Sequence, residues 1–562
     1  MTDANSEPNY FHFEHLTRFL MQSASLEFVD ARLAQNRNFY IHVVRVSESY
    51  HRVGIPAQFP IIYPNITATN KSSSLSDILE EIIPMLNGLV EGSRLLGVLV
   101  PVTVPVPEVR QLLRRRGWQN YFVVLDKENF HKIERGGFSE FEKIISTQQS
   151  LKVLNPYTSH GPVTEDMFFG REKETMYAIE KISDHCLVYI GGRRIGKTSF
   201  LLHLSIELNK RGTYNTFYIN CEVFDSAQGF YHKVRDLIMD NLVTPTRIGR
   251  SMVKGEGASV GDAANDKHRE LKGNAITNQE QFASFVEEVS AFLSGKQIVL
   301  LLDEVDLLVH AHPEMFKALR SLYMGGVIRC IFCGERGLDN AVHDSDHSMS
   351  NFGDVQPPFR FFLPDETSKL IVEPFEYLGI KIKSESDVIR VIKENTANRP
   401  NLVQELCRRL VDDLADRIGD EQPMGKRVIT VADVARVTSA VKVERIISAR
   451  AHQPYFDVYI ESMWGRCNLL ARAISILFEP GDQVTPKEVL QKMRKEKFRV
   501  TQKQCEDALG WLCLYNLAED KGRQFRFVHH GFRKILELRT SAEDMLISLR
   551  EEIEEKVSHG TV

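Results

Sequence analysis

The sequence has no apolar run long enough to cross a lipid bilayer. Its longest apolar stretch, LLGVLVPVTVPVPEV from Leu95, is short and is interrupted by prolines. The stretch MTDANSEPNYFHFEHL from Met1 is acidic and lacks the basic-then-apolar pattern of a targeting peptide. These absences predict a cytoplasmic protein with no membrane partner.

The sequence also lacks a large excess of one charge and lacks paired cysteines. A net charge of -5 over 562 residues predicts no extended surface for polyanions, so any contact with nucleic acid is expected to be local. Of the eight cysteines, only Cys330 and Cys333 are close together, on a strand-like segment where an offset of three residues puts side chains on opposite faces. The cysteines therefore favour neither a disulfide framework nor a metal site.

Residues 1–150 alternate strand-like and helix-like segments, which predicts a separate N-terminal α/β domain. The acidic residues Glu27, Asp30 and Asp126 stand apart in this part of the sequence and match no catalytic spacing. We expect a sensing, docking or effector domain here. A stretch around residues 146–165 that contains Ser, Thr, Pro and Gly predicts the next domain boundary.

A glycine-rich turn follows a strand-like segment within CLVYIGGRRIGKTSFLLHL, residues 186–204. The spacing Gly-x-x-x-x-Gly-Lys-Thr is that of a P-loop, in which backbone N–H groups surround phosphate oxygens. Lys197 would reach the β- and γ-phosphates, and the Thr198 hydroxyl would bind Mg²⁺. The predicted nucleotide-binding residues of this turn are Gly191, Gly192, Arg193, Arg194, Ile195, Gly196, Lys197, Thr198 and Ser199.

A second apolar strand, in QIVLLLDEVDLLV, ends in two acidic residues. Asp303 is predicted to hold Mg²⁺. Glu304 is predicted to be the general base for the attacking water, a role typical of NTPases with an additional catalytic carboxylate. The predicted cofactors are therefore ATP and Mg²⁺.

The next strand-like segment, VIRCIFCGERGL, ends in charged residues, and Arg336 is the preferred candidate for sensing the γ-phosphate, ahead of Glu335. The segment FRFFLP, residues 359–364, predicts a fifth strand. A helical lid is expected to follow. Within it, Arg399 is a candidate phosphate contact and Pro400 a candidate adenine contact, although both residues equally suit the start of a lid helix.

Three helical patterns followed by a hairpin turning at residues 521–523 have the order of a winged helix. Residues 466–538 carry fourteen Lys and Arg against nine Asp and Glu, a modest surplus. The hairpin could contact DNA phosphates through Lys521, Arg523 and Arg526. However, the third helical pattern, which would be the recognition helix, exposes acidic residues that repel a DNA backbone. Two alternatives stay open: a structural clamp on the core, or a module that holds duplex DNA.

Five segments and their order resemble those of the archaeal-type AAA+ and STAND ATPases, which are related to origin-recognition-type initiators. The segments are FFGREKE, GGRRIGKTSFL, LLLDEVDLL, CGERG and TANRPNLVQELC. The resemblance covers roughly residues 155–540. It implies that Phe169, Gly170 and Arg171 lie near the adenine. The family usually has Gly-x-Pro in the lid, whereas this sequence has Asn398 at the glycine position.

The resemblance further implies a nucleotide-controlled switch that hydrolyses ATP and self-associates in response to nucleotide. Bacterial signalling or anti-phage defence, with an unknown protein partner or effector, is the setting that it suggests. The alternatives are an AAA+ ATPase that assembles on duplex DNA, as an initiator, loader or transposition regulator would, and a nucleotide-locked scaffold without enzymatic activity. The intact Asp303-Glu304 pair argues against the scaffold.

The predicted fold class is thus α/β: a P-loop NTPase with an ASCE/AAA+-like parallel sheet, a helical lid and a C-terminal winged helix, preceded by the N-terminal α/β domain. The expected domains are residues 1–150 for the N-terminal domain, 151–364 for the ATPase core, 365–465 for the lid and connector, 466–540 for the winged helix and 541–562 for a C-terminal helix.

Overall fold

The computed structural model describes residues 10–33, 39–46, 58–64, 75–87, 97–101, 104–118, 121–158, 161–250, 276–291, 295–419, 427–443, 464–528 and 541–558. These residues belong to two compact units. The first comprises Met1–Ser159, Ser368–Ile392 and Gln404–Arg445, and the second His160–Thr367, Lys393–Val403 and Ile446–Val562. No helix among the described residues is long and apolar enough to span a membrane.

The helices are α1 (Tyr10–Ser23), α2 (Leu75–Asn87), α3 (Val106–Arg116), α4 (Lys127–Gln148), α5 (Leu151–Leu154), α6 (Glu172–Lys181), α7 (Lys197–Lys210), α8 (Ala227–Arg250), α9 (Gln279–Ser290), α10 (Asp306–Ala311), α11 (Pro313–Met324), α12 (Arg336–His343), α13 (Pro364–Tyr377), α14 (Glu385–Thr396), α15 (Pro400–Ile418), α16 (Val431–Val443), α17 (Leu469–Leu477), α18 (Pro486–Lys495), α19 (Gln502–Leu514) and α20 (Ala542–Ser558).

The strands are β1 (Leu26–Leu33), β2 (Phe39–Val46), β3 (Gln58–Pro64), β4 (Gly97–Leu99), β5 (Phe122–Val124), β6 (Leu187–Ile190), β7 (Tyr214–Asn220), β8 (Gln297–Asp303), β9 (Ile328–Gly334), β10 (Asp354–Val355), β11 (Lys381–Ile382), β12 (Val428–Ile429), β13 (Gln483–Val484), β14 (Ala518–Asp520) and β15 (Phe525–Phe527).

The first unit contains a five-stranded mixed sheet in the order β1-β2-β3-β4-β5. The strands β1, β2 and β3 are antiparallel, and β3, β4 and β5 are parallel. Apolar side chains of β2, β4 and β5 pack with those of α2 and α3 in one buried cluster. This sheet lies in the stretch that the sequence predicts as an N-terminal α/β domain.

A buried arginine ties separate segments of the first unit together. Arg427 donates from Nη1 to the Leu378 carbonyl at 2.8 Å and from Nη2 to the Ser146 carbonyl at 2.9 Å. Because a guanidinium is costly to bury without acceptors, these carbonyls fix the chain beside β12 against the ends of α4 and α13. Part of the predicted lid therefore belongs to the same compact unit as the N-terminal sheet.

The second unit contains a five-stranded sheet in the order β10-β6-β9-β8-β7, with every neighbouring pair parallel. Strands β6, β8 and β9 are almost continuously apolar and buried, as parallel strands covered on both faces require. The parallel sheet predicted around the P-loop is confirmed. It brings the carboxyl ends of β6, β7, β8 and β9 to one edge.

The fifth strand is not where the sequence predicted it. It lies at Asp354–Val355, whereas residues 359–364 form no strand. The chain still follows β6 beyond this strand, because the N–H groups of Gln356 and Phe359 donate to carbonyls of β6. Pro357 and Pro358 between them have no N–H to donate, so the ladder is interrupted before the apolar segment begins.

The second unit also contains three short helices and a three-stranded sheet near its C-terminal end, residues 467–528, which we call the C-terminal module. The helices are α17, α18 and α19, and the antiparallel sheet has the order β13-β15-β14. Thr485 and Thr501 cap α18 and α19 through reciprocal bonds with Glu488 and Gln504, which explains why both helices start where they do.

Candidate active site

The glycine-rich turn connects the end of β6 with the start of α7. Gly196 has a φ of 101°, in the left-handed region that a residue with a side chain rarely adopts. At Gly191 the constraint is space, since a Cβ atom would lie 3.0 Å from atoms of Ile195 and Phe359. The turn therefore presents the N-terminal end of α7, with its outward N–H groups, at the carboxyl edge of the sheet.

Lys197, the first residue of α7, is buried with its ammonium group inside this turn. Nζ donates to the carbonyls of Gly191 and Gly192 at 3.0 and 3.4 Å. It also lies 3.6 Å from a carboxylate oxygen of Glu304 and 3.7 Å from one of Glu335. Burial alone would lower the pKa of Lys197, but these surrounding acids raise it, so the ammonium stays charged.

Thr198 and Asp303, the two predicted Mg²⁺ ligands, are hydrogen-bonded to each other. The Thr198 hydroxyl donates to Asp303 Oδ2 at 2.6 Å, across 105 residues of sequence. The Tyr218 hydroxyl, from the neighbouring strand β7, donates to the same oxygen at 3.1 Å. Burial and the adjacent Asp303 carboxylate raise the pKa of Tyr218, so its hydroxyl remains a donor.

These groups fit a bound Mg²⁺. The buried Asp303 carboxylate and the Thr198 hydroxyl are hard oxygen donors of the type that Mg²⁺ prefers, and they converge beside the phosphate-binding turn. Thr198 and Asp303 would hold the ion, which when bound would neutralise phosphate charge. Tyr218 would orient the carboxylate without touching the ion.

Replacing Tyr218 with phenylalanine is expected to weaken the response to Mg²⁺. The ring stays and only the hydroxyl bond to Asp303 is lost, so the Mg²⁺ concentration that half-maximally promotes nucleotide binding should rise about tenfold. A Mg²⁺ titration with a fluorescent nucleotide measures this, while nucleotide binding without Mg²⁺ should stay unchanged. Tyr177→Phe is the matched control, because Tyr177 also donates to an aspartate, Asp354, at 2.7 Å. Equal Mg²⁺ responses in all three proteins would exclude Tyr218 from this role.

Glu304 follows β8 in a constrained backbone conformation. Its φ is 51°, unusual for a residue with a side chain and costing about 1–2 kcal/mol relative to a right-handed conformation. The conformation is held because the Glu304 N–H donates to Asp303 Oδ1 at 3.1 Å and the Val305 N–H to the Cys333 carbonyl at 3.2 Å. Burial, together with neighbouring acids, raises the pKa of Glu304 despite the nearby Lys197.

Strand β9 ends beside this carboxylate, and its tip is fixed by Asp306. The Asp306 carboxylate accepts from the N–H groups of Glu335 at 2.7 Å and Leu338 at 2.9 Å. The carboxylate fits here because residue 334 is a glycine: a Cβ at this position would lie 2.8 Å from Asp306 Oδ2. Asp306 thus sets the start of α12 and the direction in which Glu335 leaves the strand.

Arg336, the preferred sensor candidate, is bound to carboxylates. Nη1 donates to Asp339 at 2.6 Å, and Nη2 donates to Asp507 of α19 at 2.8 Å. Gly510 makes room for the guanidinium, because a Cβ there would lie 3.3 Å from both terminal nitrogens. Of the two residues at the strand tip, it is Glu335 that lies beside Lys197 in this structure.

The candidates taken from the family resemblance lie around the phosphate-binding turn. Arg171 is buried and donates to the carbonyls of Ile195 and Arg360 at 3.2 and 2.7 Å. Burial lowers the pKa of Arg171 to about 10. Gly170 has a φ of 69°, and Phe169 beside it is half-buried. Arg171 thus supports the turn through backbone carbonyls.

The lid candidates approach the turn from the start of α15. Arg399, only 1 % exposed, donates from Nη2 to the Arg193 carbonyl at 2.6 Å and from Nε to Asn401 at 2.9 Å. Pro400 is the first residue of the helix, as the sequence predicted. Ser199 in turn accepts from the Val163 N–H at 3.1 Å.

The C-terminal module contacts the same site through the end of α19. Tyr515 lies against the glycine-rich turn, so a Cβ at Gly192 would be 2.7 Å from Tyr515 Cδ1. Its hydroxyl donates to Glu335 Oε2 at 2.7 Å. Asn516 donates to the Phe359 carbonyl at 3.4 Å. No sequence pattern indicated these contacts, or that of Tyr218 with Asp303, because each joins segments far apart in the chain.

Residues 181–342 match a family model described as an AAA domain. The core of the second unit has an AAA+ P-loop fold. A comparison of the sequence with curated proteins gives no match.

Solved structures similar to this chain include the following three proteins. The Walker-type ATPase of Pyrococcus abyssi is 14% identical, covering 69% of this chain and 100% of that one, with a TM-score of 0.44. The ORC2 protein of Aeropyrum pernix is 13% identical, covering 70% and 98%, with a TM-score of 0.41. The RuvB branch migration motor of Thermotoga maritima is 10% identical, covering 67% and 97%, with a TM-score of 0.33.

Proposed function

We propose that this protein is a Mg²⁺-dependent ATPase that acts as a nucleotide-controlled switch. The observation that carries the proposal is the convergence of two sets of residues at one sheet edge. Lys197, Asp303 and Glu304 form the first set, and Asp507 and Tyr515 of the C-terminal module form the second. One site thus combines the groups needed for hydrolysis with contacts to a module that can report its state.

In the hydrolysis step, Lys197 and the N–H groups at the start of α7 bind the phosphates of ATP. Glu304 accepts a proton from the attacking water, and its raised pKa favours proton uptake. Water adds to the γ-phosphorus while the bond to the β-phosphate oxygen breaks, giving ADP and phosphate. Phe169, Gly170 and Pro400 are assigned to the adenine side of the site.

In the switching step, the C-terminal module responds to what occupies the site. Its order of three helices and a three-stranded sheet supports a winged helix. The module is bonded to both residues at the tip of β9, Glu335 and Arg336, in this structure. Arg336 would exchange Asp507 for the γ-phosphate when ATP binds, which would release α19. This exchange is how nucleotide state would reach the rest of the chain.

The released state is proposed to self-associate and to engage a protein partner or effector, in bacterial signalling or anti-phage defence. Duplex DNA bound through the C-terminal module is the alternative. The hydrogen bond between Asp507 and Arg336 favours the module as a structural clamp on the core over a module that holds duplex DNA, because a residue of α19 is already bonded to the ATPase core.

The test is the mass in solution of Glu304→Gln, which should hold ATP without hydrolysing it, measured by light scattering. We expect monomer with ADP and a mass of at least about two protomers with ATP. Lys197→Ala in the same background is the control and should stay monomeric. Assembly only when a random duplex accompanies ATP would favour the DNA alternative. An unchanged mass under all conditions would contradict the self-associating switch.

A further inference from the structure

Glu335 is a carboxylate in the position where phosphate charge would be expected. Its Oε1 lies 3.7 Å from Lys197 Nζ, and its side chain is only 18% exposed. Glu304 already lies 3.6 Å from the same ammonium on its own side of the site. The general base accounts for one carboxylate beside Lys197, but no step of hydrolysis requires the second.

Tyr515 fixes the orientation of this second carboxylate. The tyrosine is 1% exposed, and its ring lies against the glycine-rich turn at Gly192. The ring is also parallel to that of Trp511, with centroids 6.1 Å apart. Burial and the adjacent Glu335 raise the pKa of Tyr515, so the hydroxyl remains a donor. The bond to Glu335 Oε2 at 2.7 Å therefore comes from a donor that has little freedom to move.

The charge of Glu335 affects the two nucleotides differently. ATP would bring both its β- and γ-phosphates to Lys197, whereas ADP would bring only its β-phosphate. Glu335 lies 3.7 Å from the same ammonium. A partly buried carboxylate repels phosphate charge at this range more strongly than it would in water. The γ-phosphate must therefore displace Glu335 from Lys197, whereas ADP, which has no γ-phosphate, can bind with Glu335 in place.

We propose that Glu335, held in place by Tyr515 of the C-terminal module, determines nucleotide specificity by favouring ADP over ATP in this conformation. The inference rests on the proposed nucleotide site. Tyr515 acts as a positioning residue, because it acts only through the carboxylate. The preference for ADP then disappears when α19 withdraws and Glu335 turns away from Lys197.

The test compares the dissociation constants of ADP and a non-hydrolysable ATP analogue, AMP-PNP, by calorimetry on the full chain with Mg²⁺. The wild type should prefer ADP. Glu335→Gln keeps the shape of the side chain and removes its charge, so the ratio of the AMP-PNP to the ADP constant should fall by on the order of tenfold. A purely structural role for Glu335 would weaken both nucleotides together and leave this ratio unchanged.

Tyr515→Phe keeps the ring against Gly192 and removes only the hydroxyl. The ratio should fall in the same direction by about threefold, since one hydrogen bond to a charged group is lost. The double variant should match Glu335→Gln alone, because without the charge the hydroxyl has nothing to position. Glu506→Gln on α19, whose carboxylate accepts from Gln502 at 2.8 Å, is the control and should leave the ratio unaltered.

The results separate this inference from the proposed function. If both nucleotides bind and Glu335→Gln leaves the ratio unchanged, the specificity role is overturned while the nucleotide site stands. If neither nucleotide binds the wild type, the nucleotide site itself is wrong.

Discussion

Lys197→Ala is expected to abolish useful nucleotide binding, with the dissociation constants for ATP and ADP rising at least about 100-fold, or about 2.7 kcal/mol. The ammonium is a buried cation inside the phosphate-binding turn, with two carboxylates within 3.7 Å. Its removal takes away the attraction for phosphate. It also leaves Glu304 and Glu335 as uncompensated negative charges facing the ligand. Calorimetry or fluorescence of a labelled nucleotide measures the loss.

A lysine elsewhere on the same helix gives the matched control. Lys210 is the last residue of α7, is 44% exposed and pairs with Glu207 at 3.1 Å. Lys210→Ala should bind nucleotide as the wild type does, because surface ion pairs contribute little. Retention of nucleotide by Lys197→Ala would overturn the assignment of the phosphate site, and with it both proposals.

Glu304→Gln is expected to bind ATP yet lose hydrolysis by on the order of 10²–10⁴-fold. The amide has the size of the carboxylate and suits the same backbone conformation, but it cannot accept the proton of the attacking water. Loss of one negative charge near Lys197 should leave ATP affinity equal or greater. Phosphate release under single-turnover conditions, measured beside nucleotide binding, separates the chemical step from affinity.

The control for this variant is an acid on the neighbouring helix. Glu314 lies in the first turn of α11, is 52% exposed and contacts His312 at 3.2 Å. Glu314→Gln should hydrolyse ATP normally. Turnover by Glu304→Gln close to that of the wild type would remove Glu304 from the role of general base, and another group would then have to accept the proton.

The sequence predicted the parts of the site that depend on short spacings. The glycine turn, Lys197 and Thr198 occupy consecutive positions, and Asp303 and Glu304 end one apolar strand, so local pattern and strand topology suffice to bring them together. The fifth strand was misassigned for a local reason. Its apolar segment at residues 359–364 looks strand-like, yet the prolines before it interrupt the ladder.

The sequence did not predict the residues whose role comes from packing between distant segments. Tyr218 reaches Asp303 across 85 residues, and Tyr515 reaches Glu335 across 180. Neither tyrosine belongs to a motif, and each lies in a segment whose pattern indicates only a strand or a helix. Arg336 was recognised as a charged residue at a strand tip, but its partner Asp507 lies 171 residues away.

The contacts of α19 also bear on how this helix would leave the core in the proposed switch. Within α19, Asp507 and Gly510 contact Arg336 of the core. Tyr515, the residue after the helix, contacts Glu335 and Gly192. A rigid helix cannot release one of these contacts while keeping the others in register. In the proposed switch their loss would therefore be concerted, so α19 would be either fully docked or fully released in each molecule.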